Sequence, residues 1–136
     1  MNISYAIENF MTRDIVTVEQ NSTVRQAIER MVEKNIGSVV ITRGREKVGI
    51  MTERDVLKKL CFDSQCAEKK VAEVMSSPLV TIDGKATIGR AADLMVEKGI
   101  RRLLVTKDGR IEGIITERDV MKATLEVFKI LSDSWA

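Results

Sequence analysis

The sequence predicts an α/β fold built as two βαββα repeats, and three observations carry that reading. The chain repeats itself: residues 11–59 and 75–123 align without a gap at a spacing of 64, and 19 of the 49 positions are identical. Within each copy, apolar residues switch between the period of strands and the period of helices. Turn and cap residues stand at the switches. One copy, at about 50 residues, is small for a core of its own. Two copies that bury their apolar faces against each other remove that difficulty, which makes a pseudo-two-fold α/β sandwich the natural architecture.

Each repeat opens with a short helical lead-in, where Ile7, Phe10 and Met11 match Val71, Val74 and Met75. A short strand follows, IVTV (15–18) or LVTI (79–82). Pro78 stands just before the second of these, where its missing N–H is tolerated. An amphipathic helix comes next, with Val24, Ala27, Ile28, Met31 and Val32 on its apolar face. Thr23 and Thr87 read as N-caps. Asn35 and Gly99 hold the stop position, since both residue types tolerate a left-handed turn. The β-branched runs IGSVVIT (36–42) and IRRLLVT (100–106) form the second strand. A turn at Gly44, or at Asp108 and Gly109, leads to the third strand, VGIM or EGII. TERDV then opens a second helix. Repeat one spans 7–60, a connector 61–70, repeat two 71–124, and a C-terminal helical extension 125–136.

Composition narrows the function. The chain is 44 % hydrophobic and 31 % charged, as in a soluble globular domain. No apolar run approaches the roughly 18 residues of a membrane span. MNISYAIENF has no basic region of the kind that starts a signal peptide, so a cytoplasmic location is expected. A net charge of +2 and 4 % aromatics do not suggest a dedicated nucleic-acid surface. Cys61 and Cys66 are too few for a disulfide framework and read as small residues in the connector. An interchain disulfide under oxidising conditions is the alternative. With no His, a Cys/His zinc site is excluded. No G-x-S-x-G, P-loop or metal cluster points to catalysis, and no enzyme activity is expected.

The most specific string is GIMTERDV (49–56), repeated as GIITERDV (113–120). One reading is structural: Thr and the acid three residues on form a capping box at a helix start. That accounts for Thr and Asp, not for Arg or Gly. The other reading is a ligand site. A strand-to-helix turn favours an anion, a Thr hydroxyl can donate to a phosphate, and an Asp suits a ribose diol. Arg54 and Arg118 add charge that can meet phosphate. Gly49 and Gly113 would leave room beside the strand.

The unit order and the string G-h-x-[ST]-x-x-D, present twice, resemble the CBS domain, named after cystathionine β-synthase. The resemblance covers about 7–122. It implies a stand-alone tandem pair that binds adenosine ligands (AMP, ADP, ATP or S-adenosylmethionine) in two clefts between the repeats. Carried across, it groups Gly49, Ile50, Thr52, Arg54 and Asp55 with Leu79, Val80, Thr81, Ile100, Arg101 and Arg102. It groups Gly113, Ile114, Thr116, Arg118 and Asp119 with Ile15, Val16, Thr17, Ile36, Gly37 and Ser38. The Arg101–Arg102 pair would then favour ADP or ATP in the first group, and the second would accept AMP or a less anionic compound. A surface pair of arginines is the plainer alternative.

Val120, Thr124, Val127, Phe128 and Leu131 form an apolar stripe on the last helix, with Trp135 beyond. The stripe either closes the domain's own core or meets a second copy, and the family favours a disc-shaped homodimer. Two functions follow. One is a regulatory sensor whose ligand state is read by a partner protein; the other is a nucleic-acid-binding or purely structural dimer module with vestigial clefts.

Overall fold

In the computed structural model, residues 5–60 and 63–135 are described. They form two compact units. A central unit is continuous, Ile15–Leu79, and a split unit joins Met1–Asp14 to Val80–Ala136. The central unit contains β1 (Thr17–Glu19), α1 (Val24–Lys34), β2 (Ser38–Arg43), β3 (Glu46–Thr52) and α2 (Glu53–Leu60), then short 3-10 turns at Cys66–Glu68 and Val71–Glu73. The split unit contains a 3-10 turn at Ile7–Asn9, then β4 (Thr81–Asp83), α3 (Ile88–Lys98), β5 (Arg102–Lys107), β6 (Arg110–Thr116) and α4 (Glu117–Trp135). The α/β class and the two βαββα repeats are therefore present.

Each unit has one three-stranded sheet, in the order β1-β2-β3 or β4-β5-β6. The first strand runs parallel to the second, and the second antiparallel to the third. The first strands start two residues later than the sequence suggests. Val16 and Val80 reach the ladder only by their carbonyls, which accept from Val40 and Leu104 at 3.0 Å. Full pairing begins at Thr17 and Thr81.

The helix ends follow their local chemistry. The Thr23 hydroxyl accepts from Gln26 N, and the Gln26 side chain accepts from Thr23 N, closing a capping box. The Thr87 hydroxyl accepts from Arg90 N. Asn35 and Gly99 adopt the left-handed conformation at φ 53° and 64°. Val24, Ala27 and Met31 are buried, but Val32 is 75 % exposed. One further residue carries the helix about 100° past Met31, which turns Val32 away from the core. Val96 repeats this at 84 %.

The lead-ins are exchanged between the repeats. Val71 and Val74, from the start of repeat two, are buried in the central core with Val24, Met31, Ile41 and Met51. Ile7, from the start of repeat one, is buried in the split core with Ile82, Leu103, Val105 and Ile115. Backbone bonds hold both in place: Val71 N donates to Ser22 O at 2.8 Å, and Ile7 N to Ala86 O at 2.9 Å. The compact units therefore differ from the repeats read along the chain, 7–60 and 71–124.

α4 continues without a break into the C-terminal extension. Val120 and Ala123 pack inward, while Met121, Leu125, Phe128 and Leu131 are exposed. Cys66 is buried in the central core. Cys61 lies outside the described residues.

Candidate functional site

The duplicated string sits where β3 passes into α2 and β6 into α4. Thr52 N donates to Asp55 Oδ2 at 2.9 Å, and the Thr52 hydroxyl donates to the same oxygen at 3.1 Å. Asp55 N in turn donates to Thr52 Oγ1 at 3.3 Å. Thr116 and Asp119 repeat the pattern at 2.9, 3.0 and 3.2 Å. Both strings are thus real capping boxes, and both aspartates are half-buried.

This closure restricts the chemistry left for a ligand. The Thr hydroxyl has one proton, and it is committed to the aspartate. Glu53 N and Glu117 N are bonded to Gly37 O and Arg101 O at 3.0 and 2.9 Å. Three of the N–H groups that would greet an anion at each turn are therefore already satisfied. What remains is carboxylate Oδ1, an acceptor suited to a hydroxyl, and nearby cations suited to phosphate. Asp119 Oδ1 has no partner among the described residues.

The sheet decides which residues surround each box. Thr52 pairs with Ser38, Glu53 bonds Gly37, and Val16 bonds Val40. Because β1 is parallel to β2, Ile15, Val16, Thr17, Ile36, Gly37 and Ser38 gather at the same sheet end as Ile50, Thr52 and Asp55. In the split unit, Val80, Thr81, Ile100, Arg101 and Arg102 gather at the end that carries Ile114, Thr116 and Asp119. Leu79 is the last residue of the central unit. The sheets thus group these residues unit by unit, whereas the family resemblance groups them across the repeats. Arg101 lies 3.7 Å from Glu117, and Arg102 stands opposite Thr116 in the ladder. Arg54 and Arg118 are exposed on the first helical turn.

Gly49 and Gly113 have a reason the sequence did not show. A Cβ on Gly49 would meet Met75 Cγ and the Ser76 carbonyl, each at 3.0 Å. On Gly113 it would meet Met11 Cγ at 2.9 Å and the Thr12 carbonyl at 3.0 Å. The space beside each glycine is filled by the methionine of an exchanged lead-in. Gly49→Ala and Gly113→Ala should each cost about 1–3 kcal/mol, because a backbone carbonyl cannot step aside as a side chain can. Denaturant titration checks this; an unchanged midpoint would show that the niche yields. The identity of Met11 and Met75 across the repeat was the available signal.

A cavity of about 380 Å³ lies elsewhere in the central unit, lined by Lys58, Lys59, Asp63, Cys66, Lys69, Glu73 and Val74. Lys69 bonds Asp63 at 2.7 Å and holds its carboxyl below the ordinary range. Lys58 and Lys59 stand in the last turn of α2, where cations offset the helix carbonyls. None of the motif residues lines it.

Two βαββα units, each closing its third strand on a Thr-x-x-Asp box, define a tandem-repeat module. The CBS domain profile matches residues 7–61 and 71–126, and the chain belongs to that family. The protein MK0525 of Methanopyrus kandleri is 34 % identical over 122 residues, covering 88 % of this chain and 62 % of that protein. The chain thus spans less than two thirds of that relative. The CBS-domain protein ATU1752 of Agrobacterium tumefaciens superposes with a TM-score of 0.84 at 27 % identity, over 90 % of this chain and 95 % of that one. CBSX2, crystallised in complex with AMP, superposes at 0.77 with 28 % identity, over 90 % and 98 %. No described helix is long and apolar enough to cross a membrane.

Proposed function

We propose that the chain is a non-catalytic regulatory module that binds an adenosine nucleotide at the Thr–Asp box of each unit. The carrying observation is the carboxylate geometry: Oδ2 is consumed by the cap, which fixes the side chain and presents Oδ1 to a ribose hydroxyl. AMP bound to the structural relative CBSX2 supports the ligand class. With the backbone N–H groups at each turn largely satisfied, phosphate recognition falls to arginines. The split unit offers Arg101, Arg102 and Arg118; the central unit offers Arg54, with Gly37 and Ser38 in the paired positions. The two sites therefore favour ligands of different charge, and ligand state would be passed to a partner protein by a change of conformation.

A thermal-shift panel of AMP, ADP, ATP and S-adenosylmethionine tests the reading. A ligand at a hundred times its Kd adds about 2.7 kcal/mol, which raises Tm by roughly 10 °C for a chain of this size. No rise with any of the four rejects it.

We further propose a homodimer through α4, where Met121, Leu125, Phe128 and Leu131 leave apolar surface in water. Phe128→Glu should convert a dimer into monomers in analytical ultracentrifugation. A wild-type chain that sediments as a monomer would remove this part of the proposal.

A further inference from the structure

We propose that the two exchanged lead-ins, Met75–Ser76 and Met11–Thr12, couple the nucleotide sites to each other; this rests on the nucleotide reading above. Each lead-in is clamped to a motif strand. Ile50 N donates to Ser76 O at 3.1 Å, and Ser76 N donates back to Ile50 O at 2.8 Å. Thr12 and Ile114 make the same reciprocal pair, both at 2.9 Å. The Met75 and Met11 side chains fill the niches over Gly49 and Gly113. Any movement of the strand that carries a Thr–Asp box therefore moves its lead-in.

The lead-ins also continue directly into the first strands. Four residues separate Ser76 from Thr81, where β4 begins, and four separate Thr12 from Thr17, where β1 begins. Ser76 and its bridge belong to the central unit, whereas Thr81 belongs to the split unit. The chain thus carries a displacement at one box into the sheet of the other unit by covalent continuity.

The coupling is unequal. Ser76 Oγ donates to Asp55 Oδ1 over 3.5 Å, a long bond at the oxygen that a ribose hydroxyl would use. A ribose hydroxyl at Asp55 Oδ1 weakens the long Ser76 bond and so shifts the lead-in, which the backbone pair with Ile50 still holds to the strand. The equivalent Thr12 makes no bond to Asp119 among the described residues. Occupancy at Asp55 is therefore the stronger signal, and Ser76 is its positioning residue. Because coupling is a free energy shared by two sites, it acts in both directions.

Hydrogen–deuterium exchange of the full chain carrying Asp119→Ala, with and without AMP, tests this. AMP should change exchange at residues 50–56 and also at 77–83. In a second chain with Ser76→Ala added, the change at 50–56 should persist and the change at 77–83 should be lost. Ser76→Thr, which keeps a hydroxyl, should restore it. Met75→Ala, which empties the niche, should lose it as Ser76→Ala does. A change at 77–83 that survives both Ser76→Ala and Met75→Ala overturns the coupling, as does a change confined to 50–56. An AMP titration that changes exchange nowhere overturns the nucleotide reading and the coupling together.

Discussion

Ile7→Ala is expected to destabilise strands far along the chain while sparing those nearest in sequence. Ile7 is fully buried, in one core cluster with Ile82, Leu103, Val105 and Ile115 of the split unit. Truncating a buried Ile to Ala costs about 2–5 kcal/mol through lost transfer energy and the cavity left behind. That is a large part of the 5–15 kcal/mol a typical domain has in total. Native-state hydrogen exchange should show lost protection in β4, β5 and β6 with β1, β2 and β3 retained. The reverse pattern would mean that the lead-in serves its own repeat.

The second large effect concerns ligand charge. Asp55→Ala removes the central site and Asp119→Ala the split site, each at a further cost of about 1 kcal/mol for the broken cap. Loss of a charge-assisted hydrogen bond to ribose should weaken binding at the altered site by roughly ten- to a hundredfold. The chain that keeps Asp119 should hold ATP more tightly than AMP, because Arg101 and Arg102 lie at the same sheet end. The chain that keeps Asp55 should not share that preference. Calorimetry with both ligands decides it. ATP preference in the chain that keeps Asp55 would assign the arginine pair to that site, as a grouping across the repeats requires.

Much of this fold was legible because local rules and the duplication agree. The helix caps at Thr23 and Thr87 and the stops at Asn35 and Gly99 stand where residue type alone placed them. The Thr–Asp boxes were legible as caps, and the cap bonds occupy Oδ2 of each aspartate, which leaves Oδ1 outside the cap. What could not be read was long-range. Ile7, Val71 and Val74 announce an apolar face but not which core receives it. Gly49 and Gly113 read as room beside the strand, but not that a methionine fills it. Val32 fell outside the core because a helical stripe is narrower than the run of apolar letters. Arg101 and Arg102 were visible as charge, but the pairing of Arg102 with Thr116 is a matter of sheet register.

The exchanged lead-ins also set an order of assembly during synthesis. The central unit, Ile15–Leu79, has all its parts once its own lead-in at Val71–Val74 has left the ribosome. Domains made in this way fold as units while the chain is still growing. Residues 5–14 are made before the central unit, yet Ile7 joins its core only after Ile115 has been made. Until then Ile7 lacks the residues that bury it. That interval is when a newly made chain is most open to holding factors and to mispairing with another copy, and mutations that slow closure of the split unit should lower yield more than their stability alone predicts.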